Sequence, residues 1–262
     1  MNLRLDNKNA LVCGASQGIG KAVAIQFAEM GANVTLLARS EKKLKSVLST
    51  LPNNGSQLHD FISVDLVDPV SVVMNVKEKL MEKGVYHILI NNTGGPKAGA
   101  LTVQEPDIFM EAFMTQVMAS QILVQALLTG MKHVGYGRII NIISVGLKQP
   151  VKNLGVSNTI RGAVGGWSKT LSQEVAKYGI TVNNILPGFT KTERLEELFK
   201  NRADLTGKSF EDIEKSTVSE IPAGRLGLPA DIASAAGFLA SEAASYINGV
   251  SLAVDGGYLE CI

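Results

Sequence analysis

Short aliphatic and β-branched runs alternate along the chain with longer stretches whose apolar side chains recur every third or fourth position. Ala10–Cys13, Val34–Leu37, Leu58–Val64, His87–Ile90, Arg138–Ile143, Ile180–Leu186 and Val250–Val254 read as strands. Gly18–Met30, Glu41–Leu51, Pro69–Lys83, Val156–Tyr178 and Ala230–Ala240 read as helices, Pro106–Lys132 as one or two, and Ile19, Val23 and Phe27 mark the apolar face of the first. Pro69 suits a first helical turn, where its missing N–H has no partner to lose. Strand–helix alternation implies a parallel sheet covered by helices on both faces, and right-handed crossovers make it doubly wound. The expected fold is therefore α/β, with seven parallel strands and helices on both faces, in a single domain over residues 1–262. Residues 193–225 break the rhythm: they are polar and charged, with helical stretches, and read as a lid inserted before the next helix. The chain shows no Pro/Gly/Ser-rich linker, internal repeat or low-complexity segment.

Composition narrows the function classes. Hydrophobic residues make up 45% and charged residues 19% of 262, ordinary for a globular protein. A net charge of +1 creates no field that would favour nucleic acid or an anionic membrane, so neither is an expected partner. Cys13 and Cys261 are far apart and in no metal-ligand spacing, which fits a reducing compartment and no bound metal. The first residues lack the apolar core of a signal peptide, and no run of about 18 apolar residues follows. The expected location is cytoplasmic.

The first candidate chemistry lies after the first strand, in Gly14-Ala15-Ser16-Gln17-Gly18-Ile19-Gly20. Gly14 permits a tight turn, Gly18 lets the backbone approach a pyrophosphate, and Gly20 lets the helix pack on the strand. The spacing is not the usual Gly-x-Gly-x-x-Gly, but the strand–turn–helix setting is the one a dinucleotide needs. An acidic residue ending the second strand would bind both ribose hydroxyls and repel a 2′-phosphate. This chain has Ala38-Arg39-Ser40 there, with Lys42 and Lys43 following, so NADP(H) is expected in preference to NAD(H).

Six further segments, in order along the chain, join that loop in a resemblance to short-chain dehydrogenases/reductases, whose nucleotide-binding fold is of the Rossmann type. Asp65-Leu66 is similar to the family's adenine-contacting pair, and Asn91-Asn92-Thr93-Gly94 to its turn after strand four. Asn141-Ile142-Ile143-Ser144 ends where the family carries its active-site serine. Pro187-Gly188-Phe189-Thr190-Lys191-Thr192 resembles the segment that holds the nicotinamide. Ile221 to Gly227 and Val254-Asp255-Gly256-Gly257 resemble its C-terminal signature. The resemblance covers essentially the whole chain, and 3-oxoacyl-carrier-protein reductases are the nearest branch. It implies cofactor contacts at Gly14, Ser16, Gln17, Gly18, Ile19, Gly20, Arg39, Asp65, Leu66, Asn92, Gly94, Pro187, Gly188, Thr190 and Thr192. It also implies a small carbonyl or alcohol substrate and a homo-oligomer, most simply a tetramer.

The catalytic positions depart from the family pattern. A tyrosine belongs 13 residues after the serine and a lysine four later; this chain has Ser157 and Arg161. The family's asparagine on the preceding helix falls on Gln116. The catalytic candidates are thus Ser144, Ser157, Arg161 and Gln116. A serine is a far poorer acid than a tuned phenol, and an arginine cannot relay protons, although it can stabilise an oxyanion or clamp a carboxylate or phosphate. Lys97, Lys148 and Lys152 are secondary candidates near the pocket mouth. His59, His87 and His133 read as structural or surface residues, and Met110, Met114 and Met118 as core or a subunit contact. Two functions are compatible: an NADP(H)-dependent oxidoreductase with altered acid/base groups, or a redox-inactive NADP(H)-binding sensor or partner subunit.

Overall fold

The computed structural model describes residues 1–261. The strands are β1 (Asn9–Cys13), β2 (Asn33–Ala38), β3 (Asp60–Ser63), β4 (Ile88–Asn91), β5 (Gly137–Ile142), β6 (Ile180–Pro187) and β7 (Ser251–Val254). All neighbouring pairs run parallel, in one sheet ordered β3-β2-β1-β4-β5-β6-β7. The helices are α1 (Gly18–Glu29), α2 (Glu41–Leu48), α3 (Pro69–Lys83), α4 (Pro106–Phe113), α5 (Ala119–Val134), α6 (Gly155–Val175), α7 (Glu193–Thr206), α8 (Phe210–Ser219) and α9 (Pro229–Ala240).

The strand period of two divides the core. Val12, Leu36 and Ile90 face a layer with Phe27 of α1, Leu44 of α2 and Ala236 of α9. Their neighbours Leu11, Leu37 and Leu89 face the opposite layer, with Val76 of α3, Leu127 of α5 and Val175 of α6. Both sheet faces are dry, which is why the central strands read as unbroken apolar runs. The chain winds outward from β1 to β3, then returns to pair β4 with β1. The crevice beyond the carboxyl ends of β1 and β4 is the topological switch point, where such sheets receive ligands.

Three segments depart most from the sequence reading. Strand three begins at Asp60 and not Leu58, because the His59 ring accepts the Val34 N–H (3.2 Å) and meets the Pro52 carbonyl (2.9 Å). The stretch Pro106–Lys132, expected as one or two helices, holds two, α4 and α5, joined over Met114–Met118 by a wider turn where the Thr115 hydroxyl donates back to the Glu111 carbonyl (2.9 Å). Residues 193–219 form α7 and α8, joined by a small cluster of Leu195, Phe199 and Ile213. Taken as one stretch, Pro106–Val134 is long and apolar enough to cross a membrane, which the sequence reading had not noticed. Leu123, Val124, Leu127 and Met131 are nevertheless buried against the sheet.

Candidate active site

The loop from β1 to α1 is held in shape by its glycines. Gly14 (φ 60°) and Gly18 (φ 55°) lie in the left-handed region. A side chain at Gly14 would come within 2.7 Å of the Asn92 carbonyl, and one at Gly20 would collide with the Gly14 carbonyl. The Asn92 amide donates to the Cys13 carbonyl (3.2 Å), so the turns after β1 and β4 interlock. Burial pushes the Cys13 thiol up to about 12, leaving it inert beneath this junction. Gln17 provides no side-chain cap for α1, and the first-turn N–H groups stay free beside a glycine cradle. That arrangement fits a dinucleotide diphosphate.

A cleft of about 880 Å³ follows the carboxyl edge of the sheet. Gly14, Ser16, Gln17, Gly18, Ile19, Arg39, Asp65, Leu66, Asn92, Gly94, Pro187, Gly188, Thr190 and Thr192 all line it. Gly20 lies behind the loop, packed on Gly14. At one end the Arg39 side chain is 79% exposed, with its guanidinium 3.9 Å from Asp65. Nearby Lys43 bonds the Gln17 side chain and lies 3.8 Å from Glu193 of α7.

Ser144, Ser157 and Arg161 line the same cleft. Ser144 leaves the end of β5, and its Oγ accepts the Gly146 N–H (3.0 Å), so its own proton is free to be donated. Ser157 sits near the start of α6, and Arg161 follows one turn later on the same face. The Arg161 side chain is buried, Nη1 donates to the Ile142 carbonyl (3.2 Å), and Nε has no partner. Burial lowers its pKa to about 10, which still leaves it charged at neutral pH. It makes no ion pair among the described residues, whereas Arg39 and Arg194 each have an acidic neighbour.

Gln116 stands apart from this group. The wide turn at Met114–Met118 carries it inward, where it is 3% exposed and neither amide atom has a partner. Thr115 lines the cleft in its place. Lys97 reaches the cleft, and Lys148 and Lys152 do not line it. His87 is a structural acceptor for the Asn9 N–H (3.1 Å), and burial lowers its pKa to about 4. No tyrosine among the described residues lines the cleft; Tyr258 is one ring away, edge-on to the lining Phe189 at 5.0 Å.

Arg194, in the first turn of α7, was not foreseen. It lines the cleft and donates to the Pro96 carbonyl (2.6 Å), tying the 193–219 segment to the loop after β4. Nothing in the local sequence marks this contact, because it depends on where α7 lands.

Known proteins share this fold and much of this sequence. The family model described as enoyl-(acyl carrier protein) reductase matches residues 14–259. The 3-oxoacyl-[acyl-carrier-protein] reductase FabG of Vibrio cholerae is 36% identical over 257 residues, covering 97% of this chain and 98% of that one. Its Escherichia coli counterpart is 35% identical with the same coverage. Among solved structures, L-sorbose reductase from Gluconobacter frateurii, complexed with NADPH and L-sorbose, superposes with a TM-score of 0.94 at 30% identity, covering 100% of both chains. YwfH, an NADPH-dependent reductase involved in bacilysin biosynthesis, gives 0.91 at 29% identity, covering 97% of this chain and 99% of that one. With a family model matched over nearly its full length and relatives similar from end to end, the chain belongs to the short-chain dehydrogenase/reductase family.

Proposed function

We propose that the chain is an NADP(H)-dependent oxidoreductase that interconverts a carbonyl and an alcohol through an atypical Ser144, Ser157 and Arg161 site. The observation that carries this reading is a buried, charged guanidinium on the cleft wall beside a serine whose proton is free. The glycine cradle and uncapped α1 would hold the diphosphate, while Arg39, helped by Lys43, would pair with the 2′-phosphate. NADPH-bound relatives of matching fold support the cofactor. Bound there, the cofactor supplies a hydride.

The chain's own groups would do the rest. Ser144 donates to the carbonyl oxygen and fixes its direction. Arg161 stabilises the negative charge that grows on that oxygen, and burial strengthens the effect by removing competing water. Ser157 holds a water in the space a phenol ring would occupy, and that water delivers the proton. Gln116, outside the cleft, acts at most on the position of α4 and α6.

One observation favours a second reading, a redox-inactive NADP(H)-binding sensor or partner subunit: no phenol lines the cleft among the described residues. Loss of NADPH absorbance with a panel of carbonyl compounds separates the two. Turnover with any of them supports the enzyme; tight NADPH binding without turnover on all of them supports the sensor.

A further inference from the structure

Arg161 carries a charge that nothing around it neutralises. Its side chain is 9% exposed, it has no acidic partner among the described residues, and its single protein hydrogen bond goes to the uncharged Ile142 carbonyl. A buried cation left in this state is costly, and pairing with an anion relieves the cost. The cofactor's anionic groups are out of reach. Their seats are at the ends of β1 and β2, two and three strands from β5. At a spacing of about 4.8 Å per strand these lie roughly 10 and 14 Å from the β5 end against which Arg161 packs. The missing anion therefore belongs on the substrate side. Apolar lining comes from Ile108, Val151, Leu154, Leu195 and Leu198, with Glu111, Thr115, Lys97 and Arg194 as the polar residues of the same walls.

We propose that Arg161 receives a carboxylate on the substrate, so that the site takes free 2-oxo acids with an apolar side chain, and the matching 2-hydroxy acids, in preference to neutral ketones or thioesters. This rests on the reading of the cleft as a hydride-transfer site. A planar guanidinium matches a carboxylate bidentately. In a 2-oxo acid the reacting carbonyl is bonded to that carboxylate, so Ser144 and Arg161, sharing one wall, can hold the two groups together. The reaction balances as the carbonyl carbon takes one hydride, the carbonyl π pair moves to oxygen, and that oxygen takes one proton from water. The nicotinamide is oxidised and the carbonyl reduced.

The test is calorimetric titration of the full chain, loaded with NADP⁺, with pyruvate, 4-methyl-2-oxopentanoate and phenylpyruvate and with their methyl esters. The expected result is that at least one apolar acid binds tenfold or more tightly than its ester. Arg161→Gln should bring acid and ester within twofold while NADP⁺ affinity stays within threefold of wild type. Arg161→Lys should keep a reduced preference for the acid. Equal binding of acids and esters by the wild type, no binding of any acid, or an acid preference that survives Arg161→Gln would each overturn the proposal. A large loss of NADP⁺ affinity in Arg161→Gln would also overturn it, by assigning the arginine to the cofactor. The wild-type comparison stands even if the variants do not fold. Acids that bind selectively but never oxidise NADPH would uphold the carboxylate site and defeat the oxidoreductase reading instead.

Discussion

The guanidinium of Arg161 donates to one carbonyl and meets no carboxylate, while Ser157, one turn earlier, is shorter than the phenol its position implies by about a ring. On the proposed mechanism these two residues would divide the catalytic work unequally. Removing one preorganised donor from a water-excluded site typically costs about 10²–10³ in rate. Arg161→Ala should therefore lower kcat by that factor, and Ser157→Ala by about tenfold or less, since water persists without the hydroxyl; steady-state kinetics on any turned-over substrate checks the order. Arg39, exposed and beside Asp65, is the proposed discriminator at the opposite end of the cleft. A charge-assisted phosphate contact is worth about 1.5–3 kcal/mol, so Arg39→Asp should weaken NADPH binding by roughly 10–100-fold and leave NADH favoured. Equal wild-type affinities for the two cofactors would defeat this. Gln116 is a stability matter: a buried amide with no partner costs about 1–3 kcal/mol. Gln116→Met, of similar length, should raise the unfolding midpoint, and a fall would mean that the amide is satisfied by water.

At the scale of elements, the segment of α7 and α8 differs from the rest. Its cluster of Leu195, Phe199 and Ile213 is small and separate from the two large layers, and the Arg194 bond to Pro96 is its tie to the β4 loop. Local stability follows buried apolar contact. Amides of α7 and α8 should therefore exchange with deuterium well before those of β4, β5 and β6, and bound NADPH should slow them; equal protection throughout would contradict this. What could be read ahead follows the same physics. The central strands were legible because dry strands are written as continuous apolar runs, and Gly14 to Gly20 because a left-handed turn admits few other residues. The substituted pair was legible because Ser157 and Arg161 keep their spacing from Ser144. Gln116 was placed by its spacing from Gly137-Arg138, and the wide turn in which it lies was not legible because the 3.6-residue period conceals it. Leu58 looked like strand and is 72% exposed, because the neighbouring imidazole already takes the hydrogen bond that would extend the sheet.

For the whole molecule, surfaces that one chain leaves open define the assembly. Met110 (61% exposed) and Phe113 stand out from α4, Gly162, Ala163 and Gly166 leave a smooth outer face on α6, and Val250 and Leu252 are exposed beside the sheet's β7 edge. Two such regions, each self-complementary, would close into a tetramer with isologous contacts. Light scattering at micromolar concentration should return four times the mass of the chain, and a monomer would refute it. The order of the sheet has a consequence for synthesis as well. β1 forms early but cannot pair on its inner side until β4 has been made, and α1 is covered by α9, where Gly237 lies against Met30. A nascent chain that has not yet reached residues 229–240 thus leaves the apolar patch destined for Ala233, Ala236 and Leu239 open to water. The polypeptide can therefore finish folding only after nearly all of it has been made. A premature stop codon just before position 229 would therefore yield an aggregate rather than a shortened protein.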